Sequence, residues 1–217
     1  MTQTPLIKPE YTQDKLVEWL QSRLQGERYH HSLGAQQKAV ELAENFKFAQ
    51  PDIEKASLAG LLHDCAKLLT PEQLLEACEL FEIPVGDAER QAVQTLHPFV
   101  GAEIVRFELG VQDAEVLNAI RYHTTGRKGM SAVEKIVYVA DKIEGNTRNP
   151  LYTQKIHALF DFRDITTLDK AMLYILDSTF QFLIEKGQVI HTRSLEARND
   201  LVLRLKQNKQ NGYALAK

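Results

Sequence analysis

His63 and Asp64 sit side by side in AGLLHDCAKLL (Ala59–Leu69), an otherwise apolar stretch with the composition of a helix. An unpaired carboxylate in such surroundings costs on the order of several kcal/mol unless a partner offsets the lost hydration. Asp141 repeats the situation in VYVADKIE. Seven histidines accompany these acids: His30, His31, His63, His97, His123, His157 and His191. The first five fall near expected helix ends or in helices that short loops would bring together. Two acids on apolar faces and several imidazoles are best reconciled by a cation between them, so that coordination neutralises the carboxylates. Adjacent helical side chains diverge by about 100°. One metal can therefore touch both His63 and Asp64, or Asp64 can bridge to a second metal.

Plainer readings exist for each residue. Lys67 lies three residues after Asp64, the spacing of a helical salt bridge. His157 and His191 lack acidic or histidine context and read as structural or surface residues. Cys65 diverges from the His63 direction and reads as core packing. Two other metal architectures fail on spacing. A ferritin-like di-iron bundle needs two Glu-x-x-His pairs, and Glu27–His30 is the one present. The His-Glu-x-x-His of a zincin is absent.

The elements that must position these groups are helical. Leu16, Val17, Leu20 and Leu24 follow helical spacing, and a second helix is expected over Glu27–Lys47. Pro51 suits the first turn of a third helix, which would carry the His63–Asp64 stretch. Thr70–Gln73 and Ser131–Glu134 form capping boxes that start further helices. Others are expected over His97–Leu109, Asp113–His123, Ser131–Ile143, Thr167–Lys186 and Leu195–Gln207. Gly187 stops the long one in a C-cap role. Gly145–Asp164 has mixed signals and reads as a loop packed over a site. The polar tail from Lys206 is expected to fray. No convincing strand pattern is present. The expected architecture is all-α and one compact domain overall, divided into an N-terminal helix (1–26), a metal-binding core (27–145) and a C-terminal helical extension with a polar tail (146–217).

Composition sets outer bounds. The 217 residues are 44% hydrophobic and 25% charged, with a formal net charge of −3. That charge predicts no broad attraction to nucleic acid or anionic membrane. No apolar run reaches the ~20 residues of a membrane span, and the N-terminus has no apolar signal core. Cys65 and Cys78 form no CxxC and no disulfide framework, so the expected location is the reducing cytoplasm.

The order His, His-Asp, His, His, Asp resembles the HD superfamily of metal-dependent phosphohydrolases. RYHHSLG (Arg28–Gly34), AGLLHDCAK (Ala59–Lys67), LHPFVGA (Leu96–Ala102), IRYHTTGRKGMSAVEKIVYVADKIE (Ile120–Glu144) and EARN (Glu196–Asn199) are similar to the bacterial YqeK-type symmetrical diadenosine tetraphosphate hydrolases. The fold implied is an HD-domain helical bundle with a C-terminal helical extension. The ligand set implied is His31 (not His30), His63, Asp64, His97, His123 and Asp141, holding two divalent metal ions with Asp64 as the bridge. The resemblance suggests iron; the ligand chemistry also suits manganese, cobalt or zinc. Two departures from the family pattern fall outside these ligands. After ADKIE the family's Pro-x-Arg is replaced by Gly145, Asn146, Thr147 and Arg148, and its IHP by Ile190, His191 and Thr192.

The implied reaction is hydrolysis of a phosphoric anhydride. Hydroxide held between metals about 3.5–4 Å apart attacks a central phosphorus of the tetraphosphate, and both products are ADP. Asp64 and Lys67 are the expected catalytic residues, with Lys67 offsetting phosphoryl charge. Lys67, Thr124, Thr125, Gly126, Arg127 and Arg148 are the expected substrate contacts. Tyr29 and Tyr122 read as core before adenine lining. The partners expected are a dinucleoside polyphosphate substrate and ADP, with no nucleic acid and no membrane; a homodimer is allowed. The alternatives are another HD-type nucleotide phosphohydrolase (a nucleotidase or phosphodiesterase), a di-iron oxygenase, or a binding module with a structural metal.

Overall fold

The computed structural model describes residues 6–145 and 149–215. Eleven α-helices account for the regular structure, and no strand occurs among the described residues. In chain order they are α1 (Gln13–Gln21), α2 (Glu27–Asn45), α3 (Gln50–Leu62), α4 (Pro71–Leu80), α5 (Asp87–Gln91), α6 (His97–Glu108), α7 (Ala114–Tyr122), α8 (Ala132–Ile143), α9 (Pro150–His157), α10 (Thr166–Glu185) and α11 (Thr192–Leu215). A 3₁₀ turn at Val93–Leu96 leads into α6. None of the described helices is long and apolar enough to cross a membrane.

The caps anticipated from sequence set several boundaries. Thr70 accepts from Gln73 N–H and starts α4, and Ser131 does the same from Glu134 N–H for α8; Asp113, not singled out as a cap in the sequence, caps α7. A central group of α2, α3, α7 and α8 packs together. One apolar cluster lies on its α10–α11 side, around Leu42, Ile136, Ile175 and Leu201. A second joins it to α1 through Leu20, Leu24, Leu62 and Ile120. Burial of each such side chain contributes roughly 1.5–3 kcal/mol. Gly60 lets α2 and α3 come close: a Cβ there would lie 3.1 Å from the Ala35 carbonyl oxygen and 3.1 Å from Gln36 Cα. That approach brings His31 beside His63.

Three boundaries differ from the sequence reading. The Gly145–Asp164 interval contains α9: Asn149 caps it by accepting from Leu151 N–H, and Pro150 occupies its first turn. Asn-Pro, a turn signal in isolation, here acts as a helix start. The C-terminal helix runs from Thr192 to Leu215, past the Gln207 end that the polar tail suggested; its Lys, Gln and Leu residues are good helix formers. Most consequential for the site, α3 stops at Leu62. Asp64 and Lys67 therefore lie in consecutive turns, closed by Cys65 N–H to Leu62 O (3.1 Å) and Lys67 N–H to Asp64 O (2.8 Å), instead of on a continuous helical face.

Candidate metal centre

Three of the expected ligand histidines arise from one local device. His63 follows the last residue of α3, His97 the 3₁₀ turn, and His123 the last residue of α7. Each ring turns back so that Nδ1–H donates to the carbonyl three residues earlier: Gly60 for His63 (2.8 Å), Gln94 for His97 and Ile120 for His123 (2.7 Å). The side chain thus takes up a carbonyl near a helix end. A carbonyl only accepts, so the proton is on Nδ1 and the Nε2 lone pair is exposed to whatever lies ahead. His31, in the second turn of α2, uses a side chain instead: its Nδ1 lies 3.1 Å from Glu144 Oε1 at the end of α8.

The four Nε2 atoms converge on two carboxylates. Asp64 Oδ2 lies 3.9 Å from His31 Nε2 and 3.8 Å from His63 Nε2. Its Oδ1 lies 3.0 Å from His97 Nε2 and 3.4 Å from His123 Nε2. Asp141, on α8, completes the first side, with Oδ1 3.0 Å from His31 and 3.7 Å from His63. The two oxygens of Asp64 therefore face opposite imidazole pairs. His31, His63 and Asp141 offer ligand atoms within 4.8 Å of one another, and so do His63, Asp64 and His123. All six residues are buried.

These contacts are unfavourable without a cation. Asp64 Oδ1 is buried and meets no hydrogen-bond donor among the described residues, because both neighbouring Nε2 atoms carry lone pairs. His31 and His63 likewise turn Nε2 toward Nε2 at 3.2 Å. Burial raises the Asp64 carboxyl, and it is positive charge on the surrounding His63, His123 and His97, present when those imidazoles are protonated, that outweighs burial and holds the group well below the usual carboxylate range. At Asp141 burial is likewise outweighed, by Lys142 and by His31. Burial pushes His63 down, and His123 down to about 3. Ionised acids and neutral imidazoles are the protonation states that a divalent metal needs. The donor set fits such an ion, and the oriented Nδ1–H groups are the outer contacts expected around histidine ligands.

A family model described as the HD domain matches residues 28–146. The chain belongs to the HD domain family. Among HD relatives, a protein of Bacillus subtilis named "Bis(5'-nucleosyl)-tetraphosphatase, symmetrical" is 35% identical over 84% of this chain and 94% of its own length. A protein of the same name from Halalkalibacterium halodurans is 36% identical over 88% of this chain and 98% of its own. A crystal structure from Clostridium acetobutylicum, described as a "predicted HD superfamily hydrolase involved in NAD metabolism", matches with a TM-score of 0.82 at 39% identity. It covers 89% of this chain and 98% of that one.

The other expected contacts distribute unevenly around the HD centre. Lys67 reaches it, with Nζ 3.6 Å from Asp64 Oδ1 and 3.2 Å from His97 Nε2. Thr124 and Thr125 line an adjoining cleft. Gly126 donates its N–H to Tyr122 O (2.8 Å) at positive φ, and a Cβ there would lie 3.0 Å from Met172 Cε, so it serves the helix end. Arg127 is engaged elsewhere: it makes a two-pronged pair with buried Glu134 (2.6 and 2.9 Å) and lies over the Tyr122 ring. Arg148 lies outside the described residues. Tyr29 packs on the apolar core beside α1. Cys65 is buried, with Sγ toward Gly101 O, and burial raises its thiol to about 12. His157 is exposed, and His191 pairs with Glu89 at 2.9 Å.

Sequence reasoning missed three groups beside the centre. Glu144 orients His31; its place three residues after Asp141, on the same helical face, was the available signal. Lys142 pairs with Asp141 Oδ2, and Arg28 comes within 3.8 Å of Asp64 Oδ2. Lys142 adjoins Asp141 in sequence, and Arg28 precedes His31 by three positions on the same helix.

His30 and His31 give a test of this placement. His31 is buried in the centre, whereas His30 is exposed. His31→Ala is expected to remove about one metal equivalent and lower activity about 10-fold or more. His30→Ala should change neither. Metal analysis of the two purified variants checks this, and the reverse pattern would move the ligand to His30.

Proposed function

We propose that the protein hydrolyses diadenosine tetraphosphate symmetrically to two ADP, using two divalent metal ions. The observation that carries this reading is Asp64, whose two oxygens face two separate imidazole pairs, in a chain whose HD relatives are named symmetrical tetraphosphatases. In this reading His31, His63 and Asp141 hold one ion, His97 and His123 the other, and Asp64 touches both. Iron is the first candidate metal, with manganese, cobalt and zinc also suited to imidazole and carboxylate donors. When bound, such ions act as Lewis acids toward phosphoryl oxygens and supply a nucleophile from water at neutral pH.

The protein's own groups do the rest. Water adds to a central phosphorus, the bridging P–O bond on its far side breaks, and its oxygen leaves with the second ADP. Lys67 is placed to meet negative charge that develops on the phosphoryl oxygens. Arg28 and Lys142 sit against the same two carboxylates and can turn to phosphate when those carboxylates are neutralised. Thr124 and Thr125 flank the path away from the metals. Glu144 keeps the His31 ring in register and holds its Nδ1 proton.

The test is anaerobic purification with metal analysis, followed by chromatography of the products of diadenosine tetraphosphate. About two metal ions per chain and ADP as the sole nucleotide product are expected. ATP plus AMP would overturn symmetrical cleavage. A second reading, another nucleotide phosphohydrolase, draws on the Clostridium structure's link to NAD metabolism. It would appear in the same experiment as an intact tetraphosphate and turnover of a different nucleotide.

A further inference from the structure

The two imidazole pairs are held by different means. His31 and His63 are set by the packing of α2 on α3, and Asp141 of α8 lies against both. His97 opens α6 and His123 follows α7, and Asp64 is the carboxylate that reaches them. An ion between them depends on the spacing of the two rings more than an ion that also has Asp141. One continuous stack of side chains links the segments that carry this second pair. Phe99, two residues after His97, meets Tyr122, one residue before His123, edge to face with ring centroids 6.0 Å apart. The Arg193 guanidinium of α11 lies over Phe99 at 4.9 Å, and that of Arg127 over Tyr122 at 5.2 Å. A buried glutamate anchors each arginine: Glu89 holds Arg193 at 3.3 Å, and Glu134 holds Arg127 at 2.6 and 2.9 Å.

A stack closed at both ends by fixed carboxylates opposes sliding of α6 along α7. Any such slide would carry His97 away from His123, whose Nε2 atoms now lie 3.3 Å apart. Resting on the two-metal reading proposed above, we infer that Arg193, Phe99, Tyr122 and Arg127 are positioning residues that fix the spacing of His97 and His123 and so set the affinity of the second ion. The four touch no substrate and no ion in this role. His31 and His63 are carried by α2 and α3, outside the stack, so the first ion is an internal reference for any change in the second.

Chelator titration of the full-length protein loaded with cobalt(II) tests this, because it follows each ion without turnover. Wild type should release its two ions in two steps as EDTA is raised. In Arg193→Met and in Phe99→Leu the weaker ion should leave at about 10-fold less free chelator, the scale on which groups around the ligands affect metal affinity. The tighter ion should leave as in wild type. Arg193→Lys, which keeps a cation over the ring, should recover part of the difference. Arg204→Met, which breaks an i,i+4 pair within α11, is the control and should match wild type. Arg193 is half-exposed and Glu89 keeps His191 as a partner, so Arg193→Met should fold even if Phe99→Leu does not. A lower melting temperature with both ions released as in wild type would leave the stack a purely stabilising role and overturn the assignment. Equal weakening of the two ions would overturn it as well. Wild-type protein that takes up one ion per chain would refute the two-metal reading itself, and the assignment with it, before any variant is compared.

Discussion

Asp64→Ala is expected to purify folded, poor in metal and with turnover reduced at least about 10²-fold. Asp64 is the one carboxylate whose oxygens reach both imidazole pairs, at 3.0 and 3.4 Å on one side and 3.8 and 3.9 Å on the other. Without it each ion loses a ligand, and the link between the two pairs disappears. The fold should survive, because Asp64 lies in a turn beyond α3 and its side chain serves no cap. Helical circular dichroism, metal content and product formation, measured on one preparation, separate loss of the centre from loss of structure. Near-normal turnover with two metals bound would sink the two-metal reading.

Lys67→Met should lower kcat by about 10²-fold, equivalent to about 2.7 kcal/mol, while metal content and melting temperature hold. The ammonium is largely buried, and that burial lowers its pKa, with Asp64 and Asp141 opposing. It is poised between Asp64 Oδ1 and His97 Nε2, and metal at those atoms would displace it toward an incoming anion. If Lys67 served only as the partner of Asp64, the variant would instead lose stability or metal affinity and keep its kcat. Lys67→Arg should restore only part of the rate, because a planar guanidinium does not occupy the place of a compact ammonium. Unchanged kcat with metal retained would pass the phosphate role to Arg28 or Lys142.

The all-α class and the HD family were legible because their signals are local. Capping boxes at Thr70 and Ser131 and the acids in AGLLHDCAKLL and VYVADKIE are short patterns with a physical meaning at fixed spacing. What escaped depended on contacts that spacing does not record. A histidine that ends a helix by donating to the carbonyl three residues back looks, in sequence, like a histidine inside one; α3 was therefore read through Asp64 and Lys67. Arg127 looked available to phosphate, but Glu134, across a turn, engages two of its three guanidinium nitrogens and the Lys128 carbonyl the third. Glu89 and His191 meet across 102 positions, and Glu144 and His31 across 113. The adjoining cleft is made mostly of Thr, Gln, Leu, Val and Ser from separate segments, residue types that mark no site on their own, and its one histidine, His191, has no acidic neighbour in sequence to flag it.

Aiming His63, His97 and His123 through main-chain carbonyls also bears on how this centre tolerates change. A carbonyl is present whatever residue occupies its position, so amino-acid replacement at 94 or 120 need not delete the acceptor, whereas position 60 is held to glycine by the close approach of α2. His31 differs, since its acceptor is the side chain of Glu144 and one codon change removes it. The centre thus combines two arms buffered against genetic drift, one tied to a glycine, and one that is adjustable. A lineage retuning its metal preference without altering a ligand has that fourth arm as its most direct route.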